Sequence, residues 1–128
     1  LFAGLARDAW ASVNLIRFEA TPQRDGSILV LWETATEIDT IGYRLTRSQS
    51  IAGPWTQVVN KQPARGDAAS GALYTYQDAD VTAGTRYYYL LEALSQGGVS
   101  DQFGPLVAQA ILPTERLRVY LPLVLRPR

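Results

Sequence analysis

Apolar and polar residues alternate with period two along most of the chain, the signature of β-strands with one buried face. From Ile28 to Glu33 the alternation sets Ile28, Val30 and Trp32 on one face. From Tyr43 to Arg47 it sets Tyr43 and Leu45 against Arg44 and Thr46. Ser12 to Ala20 reads as a strand with Ile16 and Phe18 together, and Trp55 to Asn60 as a strand with Trp55, Gln57 and Val59 opposed to Thr56 and Val58. Leu73 to Gln77 alternates, and Arg86 to Leu94 carries Tyr87, Tyr89, Leu91 and Ala93 on one side. The last body strand covers Val99 to Leu112, broken at Gly104-Pro105 and firm from Leu106 to Ile111. Turn chemistry separates these runs at Thr21–Gly26, Thr34–Gly42, Ser50–Trp55, Lys61–Gly71, Asp78–Gly84 and the hairpin Ser95–Gly98. No long helical pattern intervenes. The expectation is an all-β antiparallel sandwich of about seven strands, centred on Trp32, the side chain that buries the most apolar area.

Both ends carry apolar pattern beyond that body, so the chain divides into an N-terminal extension (1–12), a sandwich (13–112) and a C-terminal strand (113–128). Phe2, Leu5, Ala6, Ala9, Trp10 and Val13 recur at helical spacing. A helical or extended segment over Phe2–Trp10 is too short to stand alone in water and must lie on something. In the C-terminal segment Leu117, Val119, Leu121, Leu123 and Leu125 share one parity, and Arg116, Arg118, Tyr120, Pro122, Val124 and Arg126 the other. A free strand this apolar is an aggregation hazard, so it has to be covered. It either folds back as an eighth strand on its own sandwich or leaves to complete a neighbouring copy. The second course, repeated head to tail, does not close and gives a filament. It is the favoured expectation, with Leu117, Val119, Leu121, Leu123, Leu125, Arg116, Arg118, Phe2, Leu5 and Trp10 as candidate interface residues. Pro122 lacks an N–H and suits an edge position.

Composition adds limits. Length 128 suffices for one domain with its own core. With 12 basic and 12 acidic residues the formal charge is zero, which gives no pull toward nucleic acid or an anionic membrane. Its distribution is uneven: residues 116–128 hold four Arg and no acid, leaving eight basic and twelve acidic groups elsewhere. A basic strand and an acidic body attract, which favours docking within or between copies. Cys and His are both absent, so disulfides, thiolate metal sites and the usual general base are excluded. No apolar run approaches the roughly 18 residues of a bilayer-spanning helix. Leu1 to Ala11 is similar to the end of a secretion signal, with Ala9-Trp10-Ala11 as a small-x-small site, and is read here as part of the structure.

The order of motifs resembles a fibronectin type III domain over about Val13 to Ile111. Trp32 stands where that family keeps a core Trp in its second strand, GYRLTRS resembles the third strand, and AGPWTQV the turn and strand after it. AGTRYYYLLEAL, followed by a Gly pair and a final strand, resembles the sixth strand with its tyrosine corner, which makes Tyr87 the corner residue. WETATEIDTIGYRLTRS is similar to a variant common in secreted bacterial proteins. The resemblance implies fold and an extracellular or cell-surface setting but no activity, because the fold hosts many roles.

Candidate chemistry is thin. Glu33, Glu37 and Asp39 supply the carboxylates a glycosidase needs, yet their place at a strand end and loop points to turn and capping roles. Asp78, Asp80 and Asp101 lack the dense oxygen ligand set that calcium requires. Arg65-Gly66-Asp67 is the integrin-binding tripeptide of one type III domain, there on a different loop, and reads here as coincidence. No nucleophile has its usual activator and no phosphate-binding glycine loop is present. Asn14 and Asn60 are outside glycosylation sequons. The expectation is a non-enzymatic extracellular structural protein without metal or cofactor, a subunit of a homopolymeric filament whose partner is a copy of itself. The alternative is a carbohydrate-binding, adhesive or spacer module of a larger secreted protein, presenting Trp55 or Tyr88. The expected core is Trp32, Tyr43, Leu45, Tyr87, Tyr89 and Leu91.

Overall fold

A computed structural model describes residues 11–113. The sequence patterns of Phe2–Trp10 and Leu117–Leu125 lie outside the described residues. Seven strands follow in order: β1 (Ser12–Pro22), β2 (Ile28–Ile38), β3 (Gly42–Ser48), β4 (Thr56–Pro63), β5 (Leu73–Asp78), β6 (Arg86–Ser95) and β7 (Gly98–Gln109). They form two antiparallel sheets, β1-β2-β5 and β4-β3-β6-β7. All seven predicted strands exist, and the two-sheet sandwich is the predicted architecture.

The core lies between the sheets. Trp32 is stacked on Tyr74, their ring centroids 5.1 Å apart and planes 10° from parallel, and Tyr43 tilts against both. Ile28, Val30, Leu45, Tyr87, Tyr89 and Leu91 complete the buried centre, so every predicted core residue is buried. Tyr74, inward from β5, belongs to it as well. Tyr87 makes the expected corner: its hydroxyl accepts the Thr82 backbone N–H at 2.7 Å, five residues upstream.

Four departures from simple alternation trace to β-bulges, where an extra residue reverses the facing of those beyond it. Leu15 pairs with Thr34 and Arg17 with Glu33, leaving Ile16 over; Ile16 turns out to solvent at 57% exposure while Phe18 packs inward, so the two do not share a face. Asn14 pairs with Thr36, leaving Ala35 over on β2, and the strand runs on to Ile38 rather than ending in a loop at Thr34. On β4, Leu45 pairs with Val59 and Thr46 with Gln57, so neighbours Val58 and Val59 both pack on the core. That strand also starts at Thr56 and extends through Pro63, into the stretch expected as loop. On β7, Tyr89 pairs with Leu106 and Leu91 with Phe103, and Gly104-Pro105 takes up the extra length without ending the strand. Gly104 has φ 103°, and a Cβ there would stand 2.9 Å from the Tyr89 carbonyl oxygen, so only glycine fits.

The strand registers give the body two poles. Ser12 faces Ile38, Gly42 faces Leu94, and Ser95 faces Gly98 at one pole. Ile28 faces Asp78, Ser48 faces Tyr88, and Arg86 faces Gln109 at the other. The chain therefore enters β1 at the first pole and leaves β7 at the second. The long sides also differ. β1 runs close along β7 and closes the sandwich there, whereas β4 and β5 make no comparably close approach among the described residues.

Candidate functional site

The expected interface residues Leu117, Val119, Leu121, Leu123, Leu125, Arg116, Arg118, Phe2, Leu5 and Trp10 all lie outside the described residues. Within the body, the polar side chains gather into a cluster near each pole, and neither was expected as a unit.

The first is built on Glu37. The bulge at Ala35 turns this side chain inward, where it is 2% exposed, although strict alternation would place it outward with Glu33. Its Oε2 accepts hydrogen bonds from Thr34 Oγ1 at 2.8 Å, Tyr43 OH at 2.8 Å and Tyr74 OH at 2.7 Å. Its Oε1 accepts the Gly66 backbone N–H at 2.6 Å. A buried carboxylate stays affordable only when so supplied with donors. Burial first, then the hydrogen bond and charge of Glu37, push the Tyr43 hydroxyl far above the usual tyrosine range. Burial likewise pushes Tyr74 up to about 12, against the lowering effect of the Arg65 backbone N–H that its oxygen accepts at 2.8 Å. Trp32 Nε1, buried beside this network, has no acceptor among the described residues.

Glu37 thereby pins the loop that carries Arg65-Gly66-Asp67. The Arg65 guanidinium lies over the Tyr74 ring, 4.4 Å from its centroid, and donates to the Leu73 carbonyl. The Asp67 carboxylate accepts from the backbone of Ala69 and Ser70, which holds it below the usual carboxylate range. The Asp67 carbonyl accepts the Glu37 N–H at 2.8 Å. Arg65 and Asp67 thus each hold their own loop while remaining exposed at its surface. An open cleft of about 410 Å³ adjoins, lined by Ile38, Asp39, Ile41, Asp67 and Gln96. Asp39 holds the β2–β3 turn at φ 51°, and Glu33 pairs with Arg17 at 2.9 Å. Of the three acids grouped in sequence, Glu37 is buried, Glu33 makes a surface ion pair and Asp39 shapes a turn, and Glu37 and Asp39 both border this cleft.

The second cluster is built on Asp78, which is fully buried. Arg47 Nη1 donates to both of its oxygens at 2.8 Å, and Tyr89 OH donates to Oδ2 at 2.7 Å. Burial opposes the Arg47 charge, but the hydrogen bonds and charge of Asp78 outweigh it and raise the guanidinium pKa. Burial, reinforced by Asp78, pushes the Tyr89 hydroxyl well up. Asp78 thus ties β3, β5 and β6 together across both sheets. Asp80 stands free of the core with a side chain 97% exposed, and no group of potential metal ligands forms among the described residues.

The aromatic candidates are separate: Trp55 folds against Gly53 at the β3–β4 turn, while Tyr88 sits on the outer face of β6 between Ser48 and Val107. Both are partly buried. The sheet edges remain. Three of four carry devices that discourage pairing: bulges on β1 and β4, Pro22 and Pro63, Lys61, and Gly104-Pro105 on β7. β5 has neither proline nor bulge, and its ladder with β2 is regular from Leu73 to Asp78, with Arg65 capping the Leu73 carbonyl at its start. Tyr74 and the inward turn of Glu37 escaped sequence reading; the Thr-Ala-Thr-Glu run after Trp32 carries no visible sign of a bulge.

No family model matches the chain, and no curated protein matches it significantly. Among solved structures it is similar to a crystal structure of an Fn3-like protein from Clostridium thermocellum, with TM-score 0.57 and 20% identity, covering 79% of this chain and 94% of that one. The sandwich is accordingly of the fibronectin type III-like kind.

Proposed function

We propose, with the fibronectin type III-like fold as premise, that this chain is a non-enzymatic extracellular structural subunit that joins copies of itself head to tail through its C-terminal segment. The observation that carries the reading is the polarity of the body. The chain enters beside Ile38 and leaves beside Arg86, at opposite poles. A segment that follows β7 starts from the pole opposite the one where β1 begins. One contact repeated in that sense is heterologous and gives an open row wherever the rotation between copies does not close a ring.

Two further features support it. The apolar parity of Leu117–Leu125 adds to the apolar set that strands β1 to β7 already bury around Trp32 and Tyr74. The four Arg of residues 116–128 also face a remainder with four excess acids, which favours docking and sets its register. The same polarity suits a spacer in a longer secreted chain, which predicts a monomer instead.

Size-exclusion chromatography and negative-stain microscopy on the full chain and on a chain ending at Pro113 test the proposal. The full chain is expected to form concentration-dependent rows and the shortened one to run as a monomer. A monomeric full chain, or a shortened chain that associates equally well, overturns it.

A further inference from the structure

The open side of the sandwich suggests where such a segment docks. We infer that the free edge of β5 accepts Leu117–Leu125 of a second copy as an eighth strand; this rests on the head-to-tail reading above and names its acceptor.

The sheets are unequal, three strands over four. On the β1–β7 side Val13, Leu15 and Phe18 meet Phe103, Ala108 and Ala110 around the core and the sandwich is closed. On the other side β4 has no strand laid over it from the opposite sheet, and Tyr76 and Val58 pack on the core only partly covered. A strand added beyond β5 fills that gap and makes the sheets four over four. Its apolar parity, Leu117 to Leu125, then faces Tyr76 and Val58, and its other parity, with Arg116, Arg118 and Arg126, faces water. Burial already raises the Tyr76 hydroxyl pKa, as suits a ring on the rim of an apolar seat.

Edge chemistry selects β5 over its rivals. A paired strand needs a straight run of free N–H and C=O groups. The outward face of β5 is Leu73, Thr75 and Gln77, with no proline or bulge; Arg65 caps the Leu73 carbonyl, so the run open to pairing begins at Thr75. Charge fits at the far end of β5, where Asp25, bonded to Gln77 Nε2 at 3.0 Å, and exposed Asp80 stand, whereas Arg65 occupies the Leu73 end. In an extended strand Arg118 and Arg126 stand about 27 Å apart, and β5 from Leu73 to Asp78 spans about 17 Å, so an arginine overhangs the far end toward these acids. Pro122 fits because a strand added at an edge needs only alternate N–H groups on the side facing its partner.

The chain lacks cysteine, so engineered disulfides report on the pairing without background. Full-length Thr75→Cys is mixed with full-length Arg118→Cys, Tyr120→Cys or Val124→Cys in separate oxidations, and Gln57→Cys on β4 and Asn14→Cys on β1 replace Thr75→Cys as edge controls. The inference expects a covalent dimer between Thr75→Cys and at least one C-terminal variant, weakened at high salt, and none with either control edge. A dimer formed instead through Gln57→Cys or Asn14→Cys overturns the β5 assignment while strand exchange stands. Linkage confined to one chain in a double variant, with no dimer in the mixtures, overturns both.

Discussion

Replacing Glu37 by Gln removes one charge and almost no volume, so the effect isolates what the carboxylate does. Four donors converge on it, one of them the backbone N–H of Gly66, which cannot turn away without moving its loop. Gln must put its NH2 where one oxygen stood. Placed at Oε1 it confronts the Gly66 N–H; placed at Oε2 it confronts three hydroxyls, which can reorient only by giving up other partners. Stranding one buried donor costs about 1–3 kcal/mol, and hydrogen bonds to a charged group exceed neutral ones by about 1 kcal/mol each. Relief from burying a charge returns part of this, several kcal/mol in the general case. The balance is a loss of about 2–3 kcal/mol, large against the roughly 5–15 kcal/mol of a domain this size. Urea unfolding followed by tryptophan fluorescence reads it directly, because Trp32 lies stacked on Tyr74 in the same cluster. The midpoint is expected to fall with the slope unchanged, and the loop of Arg65 to Ser70 to become more open to proteolysis. A loss below about 0.5 kcal/mol, the range of an ordinary surface change, would refute the view that this carboxylate organises the pole.

Three further outcomes follow from the geometry. Arg47→Leu leaves fully buried Asp78 without its cation and should cost about 3–5 kcal/mol, with Asp78→Asn in the same chain restoring a large part; denaturation of the single and double variants checks this. Gly71→Ala sets a Cβ 1.8 Å from the Thr34 carbonyl oxygen, a backbone atom that cannot yield, and should cost at least about 1–3 kcal/mol, whereas Gly97→Ala, with its nearest atom at 3.9 Å, should leave the melting temperature nearly unchanged. Tyr43, Tyr74 and Tyr89 all have hydroxyl pKa values raised in the folded state, so the stability linked to them is fully present below the unfolded value near 10 and is lost as pH rises through the folded values, about 12 for Tyr74. Unfolding above pH 10 should therefore carry the ionisation of these three hydroxyls with it, and a fold that stays intact while all seven tyrosines ionise would contradict the assignment.

Alternation alone determined most of the fold. The inward sets Ile28-Val30-Trp32, Tyr43-Leu45 and Tyr87-Tyr89-Leu91 are local consequences of a period-two backbone, whereas the tyrosine corner at Tyr87 is implied by the resemblance to fibronectin type III domains. What tertiary structure decided is concentrated at the bulges. Nothing in the residues Thr34-Ala35-Thr36 requires one to drop out of register, because a bulge depends on how β1 meets β2 from a distance in the chain. That single slip turns Glu37 from a surface acid into a buried anchor and draws Tyr74 and the Arg65–Asp67 loop onto it, while Arg65 and Asp67 themselves stay exposed. Likewise, which edges are defended and which side of the sandwich stands open follows from strand order, and strand order is a property of pairing between segments far apart in sequence.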